Sequence, residues 1–137
     1  MKPSLRPGVS RVNRIVVDQG RTISFMGAEA RTYGTPSMIL DIEHTCRELI
    51  LEYADAGEDS VGMEVNVKHL APTLLGMTAE ITVKVVSVDG RKVLFEVAVK
   101  DELDAVCRGT HARFVVEKAK TFERLKAKAA RYAAKAN

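Results

Sequence analysis

The sequence predicts an α+β domain in which one antiparallel sheet wraps around a single long helix, with a second, basic helix at the end. Three observations predict it. Residues 37–51, SMILDIEHTCRELIL, place apolar side chains at helical spacing. From residue 60 the period falls to two, in four successive runs: SVGMEVNVKHL, TAEITVKVVSV, KVLFEVAVK and AVCRGTHARFVVE. A helix of about five turns with an apolar stripe must be buried, and a sheet laid over that stripe is the economical way to bury it.

The elements follow in order. Residues 1–10, with two of the four prolines, are expected to be irregular. VNRIVVDQ (12–19) and RTISF (21–25) have β-branched content and read as one strand interrupted near Gly20. MGAEARTYGTP (26–36) has no clean period and reads as a loop. Thr35 suits an N-cap and Pro36 a first helical position. Ile39, Ile42, Cys46, Leu49, Ile50 and Tyr53 then form the stripe, with Asp41, Glu48 and Glu52 across from it. ADAGEDS (54–60) carries the stop signals. Asp89-Gly90 marks a two-residue hairpin, and KDELD (100–104) a second polar turn. KTFERLKAKAARYAAKAN closes the chain as a helix rich in Ala and Lys, so that 118–137 is one basic helical segment of a single 1–137 domain.

Composition excludes several classes. Apolar residues make up 46% and charged residues 28%, an ordinary globular balance. No apolar run is long enough to cross a bilayer, and the basic start MKPSLRPGVSRVNR lacks the apolar stretch of a usual signal peptide. Two cysteines make neither a disulfide framework nor a zinc site, which suits a reducing cytoplasm. His44, His69 and His111 are far apart and show no HxxxH or HExxH spacing, so no metal is expected. The net charge of +3 is uneven: residues 117–137 hold seven Lys/Arg and two Glu, a local +5, which leaves −2 for the remainder. That tail could meet phosphate groups, or could be a solvated helix packed through Phe122 and Leu125. With no Trp and no interleaving of aromatic and basic residues, nucleic acid is a poor fit.

Several side chains have two readings. Glu43 falls about 20° from Ile50 on the helical wheel, at the border of the stripe. It is either a desolvated carboxylate in need of a partner or an edge residue paired with Arg47. His69 ends an alternating strand and shares the phase of Val61, Met63, Val65 and Val67. It is a hydrogen-bonded core residue or a proton acceptor. Thr35 is an N-cap or a hydroxyl set at the positive end of a helix to hold a carbonyl. Gly62 and Gly109, inside strands, suggest bulges or close backbone approach by a ligand. Arg113 is an exposed strand charge or a buried counter-ion, while His111 reads as a surface residue and Cys46 as core.

TPSMILDIEHTCREL, GEDSVGMEVNVKHLAPTLLGMTAEITVKV, SVDGRKVLFEVAV and RGTHARFVV resemble the fluoroacetyl-CoA thioesterase family of the hot-dog fold, from about Arg14 to Arg124. In that family a Thr just before the central helix is followed eight positions on by a Glu, 26 later by a His and 44 later by an Arg. Thr35, Glu43, His69 and Arg113 stand at those places. The resemblance implies hydrolysis of a short-chain acyl-CoA thioester, with Thr35, Glu43 and His69 catalytic and Gly62 and Arg113 against the acyl group. It implies no cofactor, coenzyme A entering only with the substrate, and a homodimer whose active site two chains share. The strand at 105–117 is then a candidate dimer edge. A non-catalytic module that binds an acyl-CoA or small anion is the alternative, since fold does not settle function. One departure bears on specificity. The fluoroacetyl-specific enzyme has lid phenylalanines ahead of its Thr, where FMGAEARTYGT holds Glu29 between Phe25 and Tyr33.

Overall fold

The computed structural model describes residues 1–136. Strand β1 (Ser10–Val16) leads through two single-turn 3-10 segments, Gln19–Arg21 and Ala28–Ala30, into helix α1 (Thr35–Leu51). Strands β2 (Glu58–His69), β3 (Thr78–Asp89), β4 (Lys92–Lys100) and β5 (Ala105–Glu117) follow, and helix α2 (Lys118–Ala136) ends the described chain. Asn137, placed by the sequence in the last helix, lies outside the described residues.

The strands form one antiparallel sheet in the order β1-β3-β4-β5-β2. The hairpin turns are the predicted ones: Gly90 takes φ +60° between β3 and β4, and Asp101 accepts from the backbone N–H groups of Leu103 and Asp104 at 2.8 Å each in the second. The core is the space between α1 and the sheet. Met38, Ile42, Cys46, Leu49 and Ile50 of the helix are wholly buried, as are Ile81 and Val83 of β3, Val93 and Phe95 of β4 and Val115 of β5. Each such side chain contributes about 1.5–3 kcal/mol by leaving water, which is why the helix is held although little in its own sequence would keep it helical in isolation.

Besides RTISF (21–25), which does not continue β1 and of which only Thr22 forms a bridge, to Tyr33, three expectations need correction. First, β5 is not an edge: it lies between β4 and β2, and the sheet's edges are β1 and β2. Second, Asp41 is buried rather than across from the stripe. It accepts from the Tyr33 hydroxyl at 2.5 Å and from Arg21 Nε at 2.9 Å, which ties the incoming loop to the first turns of α1. Burial, then this carboxylate, pushes the Tyr33 hydroxyl far above its ordinary pKa. Third, Phe122 and Leu125 do not pack on the domain; both are 58% exposed, with α2 running out from the end of β5.

Candidate active site

Helix α1 begins one residue earlier than its Pro suggests. Gly34 occupies the N-cap position without a side chain to cap it, and Thr35 is the first helical residue. Its hydroxyl is therefore free of the capping role, and it shares a hydrogen bond of 2.7 Å with His69 Nδ1 at the far end of β2. His69 Nε2 is buried without a hydrogen-bond partner. Burial lowers the pKa of this imidazole, with the backbone of Ala71 acting the other way, so the ring is neutral at physiological pH.

Glu43 belongs to a second group. Arg47, its predicted partner, turns away and forms a fork with Asp59, at 2.9 and 2.7 Å. Glu43 Oε1 faces Arg113 Nη1 at 3.6 Å and His111 Nε2 at 3.9 Å. Its side chain is 32% exposed, against 6% for Arg113 and none for His111. Arg113 is thus the buried counter-ion. Its Nε donates to Ser60 Oγ at 2.8 Å and its Nη2 to the Ser60 carbonyl at 2.9 Å. Burial draws its pKa down and Glu43 holds it up.

Strand β2 shapes this group through one irregularity. Its pairing with β5 slips between Gly62 and Glu64, so Met63 is the extra residue of a β-bulge. The slip reverses the strand's phase. Ser60 and Gly62 oppose Val115 and Arg113 before it, and Val65, Val67 and His69 oppose His111, Gly109 and Cys107 after it. The sequence reading put Val61 and Met63 on the face of His69; they lie on the opposite face and are half-exposed. Gly62 is required where it stands, because a Cβ there would sit 2.3 Å from Glu43 Oε1. Gly109 is required for a different reason: its Cβ would strike the backbone oxygen of Asn66 at 2.0 Å.

The structure therefore brings Thr35 to His69, and Glu43 to Gly62 and Arg113, but keeps the two groups apart within one chain. Eight helical residues separate Thr35 from Glu43, a rise of about 12 Å. Sequence reasoning missed two members of the second group. Ser60 gave no signal, and His111 was taken for a surface residue although its phase with Arg113 was the clue. Cys46 is core as read, its thiol pKa pushed up by burial. Among the described residues no three His, Cys, Asp or Glu side chains cluster as ligands for an ion, and no helix is long and apolar enough to cross a membrane.

Comparison with known proteins supplies the frame for this geometry. The family described as fluoroacetyl-CoA-specific thioesterase matches residues 17–119. The fluoroacetyl-CoA thioesterase of Streptantibioticus cattleyicolor is 29% identical over 123 residues, covering 85% of this chain and 88% of its own. A variant of the fluoroacetyl-CoA-specific thioesterase FlK, solved with fluoroacetate and CoA, superposes with a TM-score of 0.80 at 29% identity, over 85% of this chain and 99% of that one. A thioesterase superfamily member from Thermus thermophilus reaches a TM-score of 0.89 at 27% identity, over 98% and 99% of the two chains. With the helix held in a five-stranded antiparallel sheet and the family matched over most of its length, the chain belongs to the fluoroacetyl-CoA-specific thioesterase family and is a hot-dog-fold hydrolase of acyl-CoA thioesters.

Proposed function

We propose that the protein hydrolyses a short-chain acyl-CoA thioester in a site completed by two copies of the chain, with Glu43, His69 and Thr35 as the catalytic residues. The observation that carries the reading is the edge strand β2. It pairs only with β5, and along it Val61 and Met63 on one face and Val65 on the other are between 38% and 53% exposed. An unpaired apolar edge of this length is a template for a second strand. If two β2 strands pair antiparallel about a two-fold axis at Asn66, the Gly62–Met63 bulge falls opposite the partner's His69. That pairing carries the Thr35–His69 group of one subunit to the Glu43–Arg113 group of the other, closing a gap that one chain cannot close.

In this site Arg113 faces Glu43 as its counter-ion, and Glu43 makes no hydrogen bond among the described residues. It attacks the thioester carbonyl, forming a mixed anhydride as the C–S bond breaks and coenzyme A leaves as thiolate, or it orients the water that attacks. In either route His69 takes the proton from water and passes it to the thiolate, in the first route that water opens the anhydride to release the acid and restore the Glu43 carboxylate, and the Thr35 hydroxyl holds the carbonyl at the helix N-terminus. Single turnover in 18O-labelled water separates the routes: only the anhydride can leave label in Glu43.

The structure of FlK with fluoroacetate and CoA supports a small acyl group. Selectivity for fluorine is a different matter. Tyr33 is buried against Asp41 and cannot serve as a lid; Phe25 is 80% exposed and Glu29 sits on the loop between them. We assign a short acyl chain without strong preference for the fluorinated one. The two free, buried cysteines fit a reducing cytoplasm.

The test is thiol release on a panel of short acyl-CoAs by the wild type, by Glu43→Gln and by His69→Ala, alone and mixed. Each variant alone is expected to be nearly inactive. Mixed after subunit exchange, they should recover about a quarter of wild-type activity, because one site in four receives both intact residues in a random dimer. Full activity in either variant overturns the residue roles, no recovery on mixing overturns the shared site, and binding without turnover by the wild type favours a binding module.

A further inference from the structure

His111 has no place in the chemistry above, yet it is among the most deeply buried polar side chains, with 0% of its surface exposed. Its two ring nitrogens have partners of opposite kind. Nδ1 lies 2.8 Å from the backbone carbonyl of Glu64, which can only accept. Nε2 lies 3.3 Å from Arg113 Nη1, which can only donate. Both contacts are satisfied by one state alone, the neutral ring with its proton on Nδ1. A charged imidazolium would set an N–H against an N–H, and the other neutral tautomer would set a lone pair against the carbonyl.

We propose that His111 is a positioning residue for the thioesterase site: locked in the Nδ1–H tautomer by the β2 bulge, it accepts from Arg113 and so aims Nη1 at Glu43. This rests on the reading of Glu43 as the catalytic carboxylate. Ser60 alone fixes only two points of the guanidinium, Nε and Nη2, both through one residue of β2. His111 fixes the third nitrogen, Nη1, which is the one facing Glu43 at 3.6 Å. The Glu64 carbonyl that holds the ring belongs to the register slip, so the bulge that reverses the phase of β2 also orients the counter-ion.

The ring's two functions can be removed separately. In His111→Asn the amide retains a donor near the place of Nδ1 and loses the acceptor for Arg113. In His111→Gln the carbonyl oxygen reaches the place of Nε2 and the bond to Glu64 is lost. His111→Leu removes both. If the inference holds, His111→Gln keeps kcat/KM within a few-fold of wild type, while His111→Asn and His111→Leu lose roughly ten- to a hundredfold, the effect of deleting a hydrogen bond to a charged group. Melting temperatures measured alongside should not track this order, as they would for a residue that only fills the core. Wild-type turnover that His111→Asn and His111→Leu retain overturns the inference alone. Absence of wild-type turnover on any short acyl-CoA overturns the thioesterase reading and the inference with it. An independent measurement reads the tautomer itself: 15N NMR of the imidazoles, with His111→Asn assigning the signal among the three histidines, should show a protonated Nδ1 and a bare Nε2 at neutral pH. A protonated Nε2 overturns the proposal whatever the activities are.

Discussion

The two ends of strand β2 hold the same kind of cargo, a functional side chain against helix α1, but hold it in opposite ways. At the His69 end there is one hydrogen bond, to a hydroxyl on the exposed first turn of the helix, and no charge within the pair. At the Gly62 end Glu43 faces a guanidinium fixed at three points by buried partners. The difference suits what each end is assigned to do. A group that takes and returns a proton must change charge in every cycle, and a dense set of fixed charges around it would oppose one of its two states. A carboxylate that must stay ionised benefits from a counter-ion that cannot move away.

The largest expected effect breaks the stiff end. Glu43→Gln removes the reactive charge and leaves Arg113 buried against a neutral amide. Its kcat should fall by roughly a hundred- to ten-thousandfold, the range for losing a positioned acid–base group, as measured by thiol release. Thr35→Ala at the looser end should cost less, roughly tenfold, because the hydrogen bonds lost, to His69 and to the substrate carbonyl, are both neutral. Thr35→Ser, which keeps the hydroxyl, should stay near wild type. If Thr35→Ala matched Glu43→Gln, the proposed division of labour between the two ends would be wrong.

Two glycines sharpen the contrast. A methyl at position 62 meets the tip of a flexible side chain at 2.3 Å, while one at position 109 meets the backbone of Asn66 at 2.0 Å. Gly62→Ala should therefore fold with a melting temperature close to wild type and lose roughly tenfold or more in kcat/KM as Glu43 is pushed off Arg113. Gly109→Ala must move β2 itself and should cost about 1–3 kcal/mol or more in denaturant unfolding. Equal stability of the two variants would count against the close approach of β2 and β5.

This contrast also marks what was legible in sequence. The helix, the four alternating runs and both hairpin turns were visible because each is a local pattern, and Gly62 was rightly read as marking a bulge, while at Gly109 it is the backbone of β2, not a ligand, that comes close. What was missed depends on register. The phase of β2 was read straight through Met63, since a bulge leaves alternation intact on paper while exchanging the two faces. The same blindness sent His111 to the surface and left Ser60 unnoticed, as both are identified only by what β5 and β2 place side by side. Which strand is an edge was likewise beyond reach: chain order puts β5 last, whereas the sheet puts β2 outermost.

The smallest expected effect is in pH, and it probes both ends at once. Burial is the first cause lowering the pKa of His69 and of His111 below the ordinary 6.5. The groups facing His111 are Glu43 of α1, which pulls the other way, and Arg113 of β5, which adds to the lowering; His69 faces only the Thr35 hydroxyl and the backbone of Ala71. A proton acceptor must be deprotonated, so activity should be flat above 6.5 and fall only as pH drops through the lowered pKa of His69. Stability moves in the same direction. Between 6.5 and the folded pKa values the unfolded chain binds more protons, so both histidines contribute stability that is fully present above 6.5 and is lost as pH falls through that window. His69→Ala should flatten the stability profile in part, and His69→Ala with His111→Gln further. A midpoint of denaturation that rises on acidification through this window would show that the imidazoles are charged in the folded protein, and would remove the neutral His69 on which the proton transfer depends.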